Sequence, residues 1–390
     1  MRLQNLKDVR ERLLGYKLSS VARLTSLSLE RLQAIEAGDE PDFYELSLLA
    51  RVYGIDIEKL VEQPIHLAPG DGIELLTSMD EFKEIDDVTR ARVVAAANAA
   101  RDLVTLFELK HGESPRVRFL QERPRLSLDQ REKNALPHQQ GTALARQLRQ
   151  QYSLSTNPIA SMRDFVRDAF PDLFVLYAAL GPHGPAGLGF ADPLRGPVIV
   201  LNTQGKNENP CVRRFSLAHE LCHLLIDWNG RESLASISGY FNERGLDRER
   251  RANAFAVRFL CPPSVLQRLS DPTGTDGRRA RAKYGLPYAA WRKYLRNERS
   301  IELPRSPERG VAASWSRAEE PDNVANFPLE EVPTERRNSI AELAAELYSD
   351  GRIGRDEFAD MMGVTPAEEV ERVLDFFALD WPDERVAAEA

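Results

Sequence analysis

The chain has 390 residues, of which 29% are charged and 8% aromatic, enough for two or three domains that each bury a core. Its net charge of −8 excludes a protein that simply coats nucleic acid. No run of eighteen apolar residues and no apolar leader occurs, and Cys211, Cys222 and Cys261 form no C-x-x-C pair, so a cytoplasmic protein with no membrane span and no disulfide framework is expected.

Residues 1–65 carry apolar faces at helical spacing in five short segments, Val9 to Leu14, Val21 to Leu24, Leu29 to Ile35, Leu46 to Val52 and Ile57 to Val61. Between the second and third, Thr25-Ser26-Leu27-Ser28 reads as a tight turn with a helix cap at Ser28. The stretch Val21-Ala22-Arg23-Leu24, Leu32-Gln33-Ala34-Ile35-Glu36-Ala37-Gly38 and Leu46-x-x-Leu49-Ala50-x-x-Tyr53-Gly54-Ile55 resembles the phage-repressor-like (XRE) helix-turn-helix. The resemblance implies that the third helix, about 28–37, enters the major groove. Ser28 at its start, and Arg31 and Gln33 as side chains able to read bases, are the DNA-binding candidates. The segment holds nine basic and eleven acidic side chains, a balance that weakens phosphate attraction and leaves dimerisation or partner binding as the other use of the fold.

A loop by composition follows at 64–72, then an alanine-rich helical pattern from Asp87 to Lys110 that serves as a connector across 66–115. It packs on the next domain or on a second copy, although its apolar positions do not sustain heptads. A domain over 116–300 opens with a helix at 141–152. Three extended segments come next, Phe174 to Ala178, Leu188 to Ala191 and Val198 to Asn202, separated by Gly/Pro clusters.

The stretch Asn209 to Gly230 reads as one helix, with Asn209 as N-cap, Pro210 at the first helical position and Gly230 where a left-handed cap falls. It is apolar on nearly every face, which sets apart His219, Glu220 and His223. Four residues apart, the two imidazoles stand about 40° from each other around the helix and can reach one ion. Glu220 is displaced by about 100°, beside the ion, where it can take a proton from water instead of ligating. A catalytic zinc takes three protein ligands and keeps one open position, so a third ligand lies downstream; Glu249, opening a helical pattern with Ala252, Phe255, Ala256 and Phe259, is the candidate, and Asp247 the runner-up.

Arg213-Arg214-Phe215-Ser216-Leu217-Ala218-His219-Glu220-Leu221-Cys222-His223, with Glu249-x-x-Ala252-Asn253-x-Phe255-Ala256 and Leu260-Cys261-Pro262, resembles the ImmA/IrrE family of bacterial zinc metallopeptidases. The resemblance implies Glu249 as third zinc ligand, a zincin layout of small sheet and metal helix, and cleavage of helix-turn-helix repressors that frees phage, mobile-element or stress genes. Where that family usually has glycine and methionine, this chain has Cys222 and Cys261. An oxyanion donor is not placed; Tyr240 is in range by sequence, but an ordinary packed tyrosine is the simpler assignment.

Residues 278–299 hold eight basic side chains among Tyr284, Tyr288, Trp291 and Tyr294, a mixture that stacks bases in some proteins and forms a solvated amphipathic face in more. A proline-bearing acidic linker at 301–334 leads to a helical region at 335–390; together they carry nine basic and twenty-two acidic residues, which favours a protein contact. The expected fold is mostly α with a small sheet (α+β): a five-helix helix-turn-helix domain, a zincin-like metallopeptidase domain and a small C-terminal helical region. The expected function is a zinc endopeptidase acting on a repressor, the alternative a DNA-binding regulator or antitoxin whose zincin domain senses or binds a partner.

Overall fold

A computed structural model describes residues 6–55, 57–61, 76–77, 79–239, 247–305, 315, 319, 322–364 and 372–382. Five helices open it: α1 (Leu6–Asp8, continued by a π turn at Val9–Leu13), α2 (Leu18–Thr25), α3 (Leu29–Ala37), α4 (Phe43–Tyr53) and α5 (Ile57–Val61). Their ends follow local chemistry. Ser28 caps α3 by accepting from the Arg31 amide at 3.0 Å, and Asp42 and Glu45 form a reciprocal capping box at the start of α4.

The connector is one 25-residue helix, α6 (Asp87–His111), capped by Asp86 and closed by Gly112 in the left-handed region. Ala96, Ala97, Ala99 and Ala100 have no exposed surface, so the alanines that favour the helix also let its neighbours approach closely. Helix α7 (Pro137–Gln151) then precedes three strands, β1 (Phe174–Ala178), β2 (Gly187–Ala191) and β3 (Val198–Asn202). Helix α8 (Pro210–Cys222) follows, then a fourth strand, β4 (Leu234–Ser238), and helix α9 (Asp247–Leu260). The sheet order is β1-β3-β2-β4, with β1 parallel to β3 and both pairings of β2 antiparallel. Strand β4 carries serines at alternate positions and was not among the expected strands; it forms the edge of the sheet opposite β1.

The sheet separates two cores. Leu176, Leu188, Phe190, Val200 and Ile237 join the helix-turn-helix, α6 and the C-terminal helices on one face. On the other, Tyr177, Ile199 and Leu201 meet α8, α9 and the helix α10 (Tyr288–Arg299). The C-terminal helix α11 (Ser339–Ser349) lies along α6, where Lys110 pairs with Glu346 at 2.5 Å and Arg336 with Asp102 at 2.6 Å. Its apolar face, with Leu343 and Leu347, is what brings it there.

One local expectation is corrected, and of the two readings of 278–299 the amphipathic helix with a solvated basic face is the one that holds. The α-helix of the motif stops at Cys222 and continues as a π turn, His223–Asp227, so Gly230 stands beyond the helix end instead of capping it. In 278–299, Tyr284, Trp291 and Tyr294 are buried, with the Tyr294 hydroxyl donating to the Cys261 carbonyl at 2.9 Å, so these rings belong to the core and cannot stack bases. The expected loop at 64–72, the parts of the linker at 306–314, 316–318 and 320–321, and Tyr240 lie outside the described residues.

Candidate metal centre

Helix α8 starts where Asn209 accepts from the Cys211 amide at 2.9 Å and Pro210 occupies the first turn. Two turns on, His219 and His223 project together, as the four-residue spacing requires, with Nε2 atoms 3.1 Å apart. Glu249, in the first turn of α9, brings its carboxylate to both: 3.2 Å to His219 Nε2 and 3.4 Å to His223 Nε2. The three residues offer ligand atoms within 4.8 Å of one another, and among the described residues they are the group with that geometry. Asp247, the alternative ligand, lies apart at the surface and pairs with Arg250 at 3.8 Å.

The donor set suits a divalent cation. His223 Nδ1 hydrogen-bonds Asp227 at 2.6 Å, which leaves Nε2 as the atom that faces the cluster. Asp227 is held in turn by Arg251, whose other arm donates to Gln140 at 3.0 Å on α7. That link depends on close helices: a Cβ on Gly141 would stand 2.3 Å from the Arg251 carbonyl, so only glycine lets α7 press against α9 here.

These contacts set the charges. Burial pushes His223 down, but hydrogen bonds to Asp227 and Glu249 outweigh it and hold the imidazole up at about 10. Burial alone would raise the Glu249 carboxyl; its bonds to His219 and His223 instead keep it well below the usual carboxylate range. Asp227 is likewise lowered, against its burial, by His223 and Arg251. Desolvation raises the thiols of Cys222 and Cys261, the latter to about 12, so both are inert buried side chains outside the cluster.

Glu220 has no exposed surface. Its carboxylate points at the sheet, where Ser236 Oγ donates to it at 2.9 Å and Ser238 Oγ donates to its other oxygen. Gly187 makes room, since a Cβ there would lie 2.9 Å from Glu220 Oε1. Sequence reasoning missed Asp227, Ser236 and Ser238. Asp227 had a readable signal, four residues after a histidine on one helix face, and the serines had one in their alternation along a strand.

On the helix-turn-helix, Ser28 and Gln33 are exposed at α3, while Arg31 is engaged: its guanidinium donates twice to Glu45, each at 2.7 Å, and once to the Glu40 carbonyl. The structure therefore does not bring Arg31 and Gln33 into one free reading surface.

Residues 171–296 match the peptidase-family model described as the IrrE N-terminal-like domain, and residues 6–60 match the model described as Helix-turn-helix. No curated protein and no solved structure matches the chain. Among the described residues no helix is long and apolar enough to cross a membrane. The matched segments fall on the cluster of His219, His223 and Glu249 and on the N-terminal helices, so the chain is similar over 171–296 to the IrrE N-terminal-like peptidase domain and over 6–60 to an XRE-type helix-turn-helix.

Proposed function

We propose that this protein is a cytoplasmic zinc-dependent endopeptidase that cuts a helix-turn-helix repressor or similar regulator and so switches on stress, mobile-element or phage-defence genes. The observation that carries the reading is the convergence of His219, His223 and Glu249 within 4.8 Å, two imidazoles and a carboxylate from separate helices. When bound, zinc supplies a Lewis acid that acidifies water and polarises an amide carbonyl. Asp227 fixes the orientation of His223 through Nδ1. Glu220 is the proton carrier, taking a proton from the attacking water and delivering it to the leaving amine, with Ser236 and Ser238 holding it between turnovers. Among the described residues β4 is an edge strand, and its outer backbone groups are where a substrate chain would lie in extended form.

One observation favours a second reading, in which the chain is a DNA-binding regulator or antitoxin and the peptidase-like domain binds a partner. A carboxylate with no exposed surface and both oxygens occupied by serines must turn before it meets a substrate. Metal analysis beside Glu220→Gln separates the two. The variant keeps about one zinc per chain and loses at least ~100-fold in cleavage of a co-expressed repressor, within the usual range for a general base. Target genes that respond normally in that variant rule out the peptidase.

A further inference from the structure

We propose that the first turns of α3 and α4 form a docking surface for a protein partner whose contact segment sets a bulky apolar side chain between lysines or arginines. The proposal goes beyond the peptidase reading and does not rest on it. Helix α4 buries Leu46, Leu49, Val52 and Tyr53, yet Phe43 and Tyr44 in its first turn stay 74% and 69% exposed. They are the two most exposed large apolar side chains among the described residues. Leu29, in the first turn of α3, is 44% exposed. Arg31 ties the two turns together: its guanidinium bonds Glu45 at 2.7 Å and the Glu40 carbonyl at 2.8 Å. Adjacent aromatic rings offer broad, rigid contact area, the usual anchor of a protein interface.

The charge around the rings decides what can cover them. Residues 23–51 hold six acidic and three basic side chains. Glu36 is taken by Arg10 at 2.6 Å. Arg31 bonds Glu45 and lies 3.7 Å from Asp39, so that single positive charge sits among Glu30, Asp39, Glu40, Asp42 and Glu45. Asp42 caps α4 directly before Phe43. Arg51 follows Tyr44 by two helical turns, about 10 Å along the axis, where salt screens most of its effect, and Arg23 belongs to α2. Duplex DNA would bring phosphates against this surface, and a second copy of it would set carboxylates against carboxylates. A basic protein segment with an apolar side chain is the occupant that both the rings and the charge accept.

The test is fluorescence anisotropy of the full chain in chelator, where nothing is cut. The probes are a labelled ten-residue peptide with phenylalanine between lysines, the same peptide with glutamates in their place, and a labelled ten-base-pair duplex. The basic peptide should bind at least about tenfold tighter than the acidic one, with the gap narrowing at high salt. Phe43→Ala with Tyr44→Ala leaves the charge unchanged and should weaken the basic peptide at least about tenfold. Glu30→Lys with Asp39→Lys should remove the preference, while Asp356→Lys with Glu357→Lys, on an exposed helix face elsewhere, should leave it in place. All six positions are exposed, so each variant should keep the parent's fold, as read by far-ultraviolet circular dichroism. Equal binding of the two peptides, tighter binding of the duplex, an alanine pair that binds as the parent does, or a distal reversal as damaging as the local one would each overturn the proposal. So would self-association in sedimentation that the alanine pair abolishes, since a second copy would then be the occupant. Neither metal nor cleavage enters the readout, so failure of the peptidase reading would leave this result untouched.

Discussion

Asp227 shows how one side chain outside the motif governs the residues within it. It accepts from His223 Nδ1 at 2.6 Å and is gripped by Arg251, so it fixes both the tautomer and the rotation of the imidazole. Asp227→Asn should lower metal affinity about 10- to 100-fold while leaving the fold intact, as read by competition with a chromogenic chelator. An unchanged affinity would mean that the ring is oriented by packing alone. The same contacts predict a pH dependence. In the metal-free chain His223 is raised from 6.5 to about 10, so its protonated form stabilises the folded state fully below about 6.5, and that contribution is lost as pH rises through about 10. Metal uptake at Nε2 must expel that proton. Apparent affinity should therefore climb by up to about tenfold per pH unit between 6.5 and 10, and isothermal titration in buffers of different ionisation enthalpy should register proton release. A flat profile would show that the site takes metal without displacing a proton.

At the scale of elements, the helix-turn-helix and the edge strand each place polar groups against a neighbour instead of offering them to solvent. Helix α3 has the position of a recognition helix, but its arginine is locked across to α4 by two 2.7 Å bonds to Glu45. Around it stand exposed Phe43, Tyr44 and Leu29 and the acidic Glu30, Glu40 and Asp42, a surface poorly suited to phosphates. The full chain should bind duplex DNA weakly. Glu45→Gln, which removes one negative charge and releases Arg31, should strengthen that binding about three- to tenfold at low salt, measured by anisotropy across a salt series. If the substitution changes nothing, Arg31 does not face the duplex in the complex. Strand β4 was hidden from periodicity for a related reason: its two inward serines look like exposed positions until Glu220 is placed beneath them.

Across the whole molecule, α6 ties the segments together. It lies in one core with the helix-turn-helix, one face of the sheet and α11, although a reading by composition divides these regions with linkers. Ala97 has no exposed surface, so Ala97→Leu should overpack that core and cost about 1–3 kcal/mol. Denaturant melts followed at probes in the N-terminal and C-terminal segments should shift together; a shift confined to one probe would mean that the core is divided.

The sequence by itself determined what depends on neighbours a few residues away. It carried the four-residue spacing of His219 and His223, the caps at Ser28 and Asn209, the extent of α6 and the positions of β1 and β3, because helix and strand periods and capping are local. Only the tertiary structure decided that Glu249, not Asp247, meets the histidines, that Asp227 is tied through Arg251 to Gln140, that Glu220 rests on two serines, and that Arg31 is occupied by Glu45. Except for Arg31 and Glu45, which sit in adjacent helices, these pairings join residues many positions apart. Each is selected by the need of a buried or half-buried polar group to find a partner, and that need has no period along the chain.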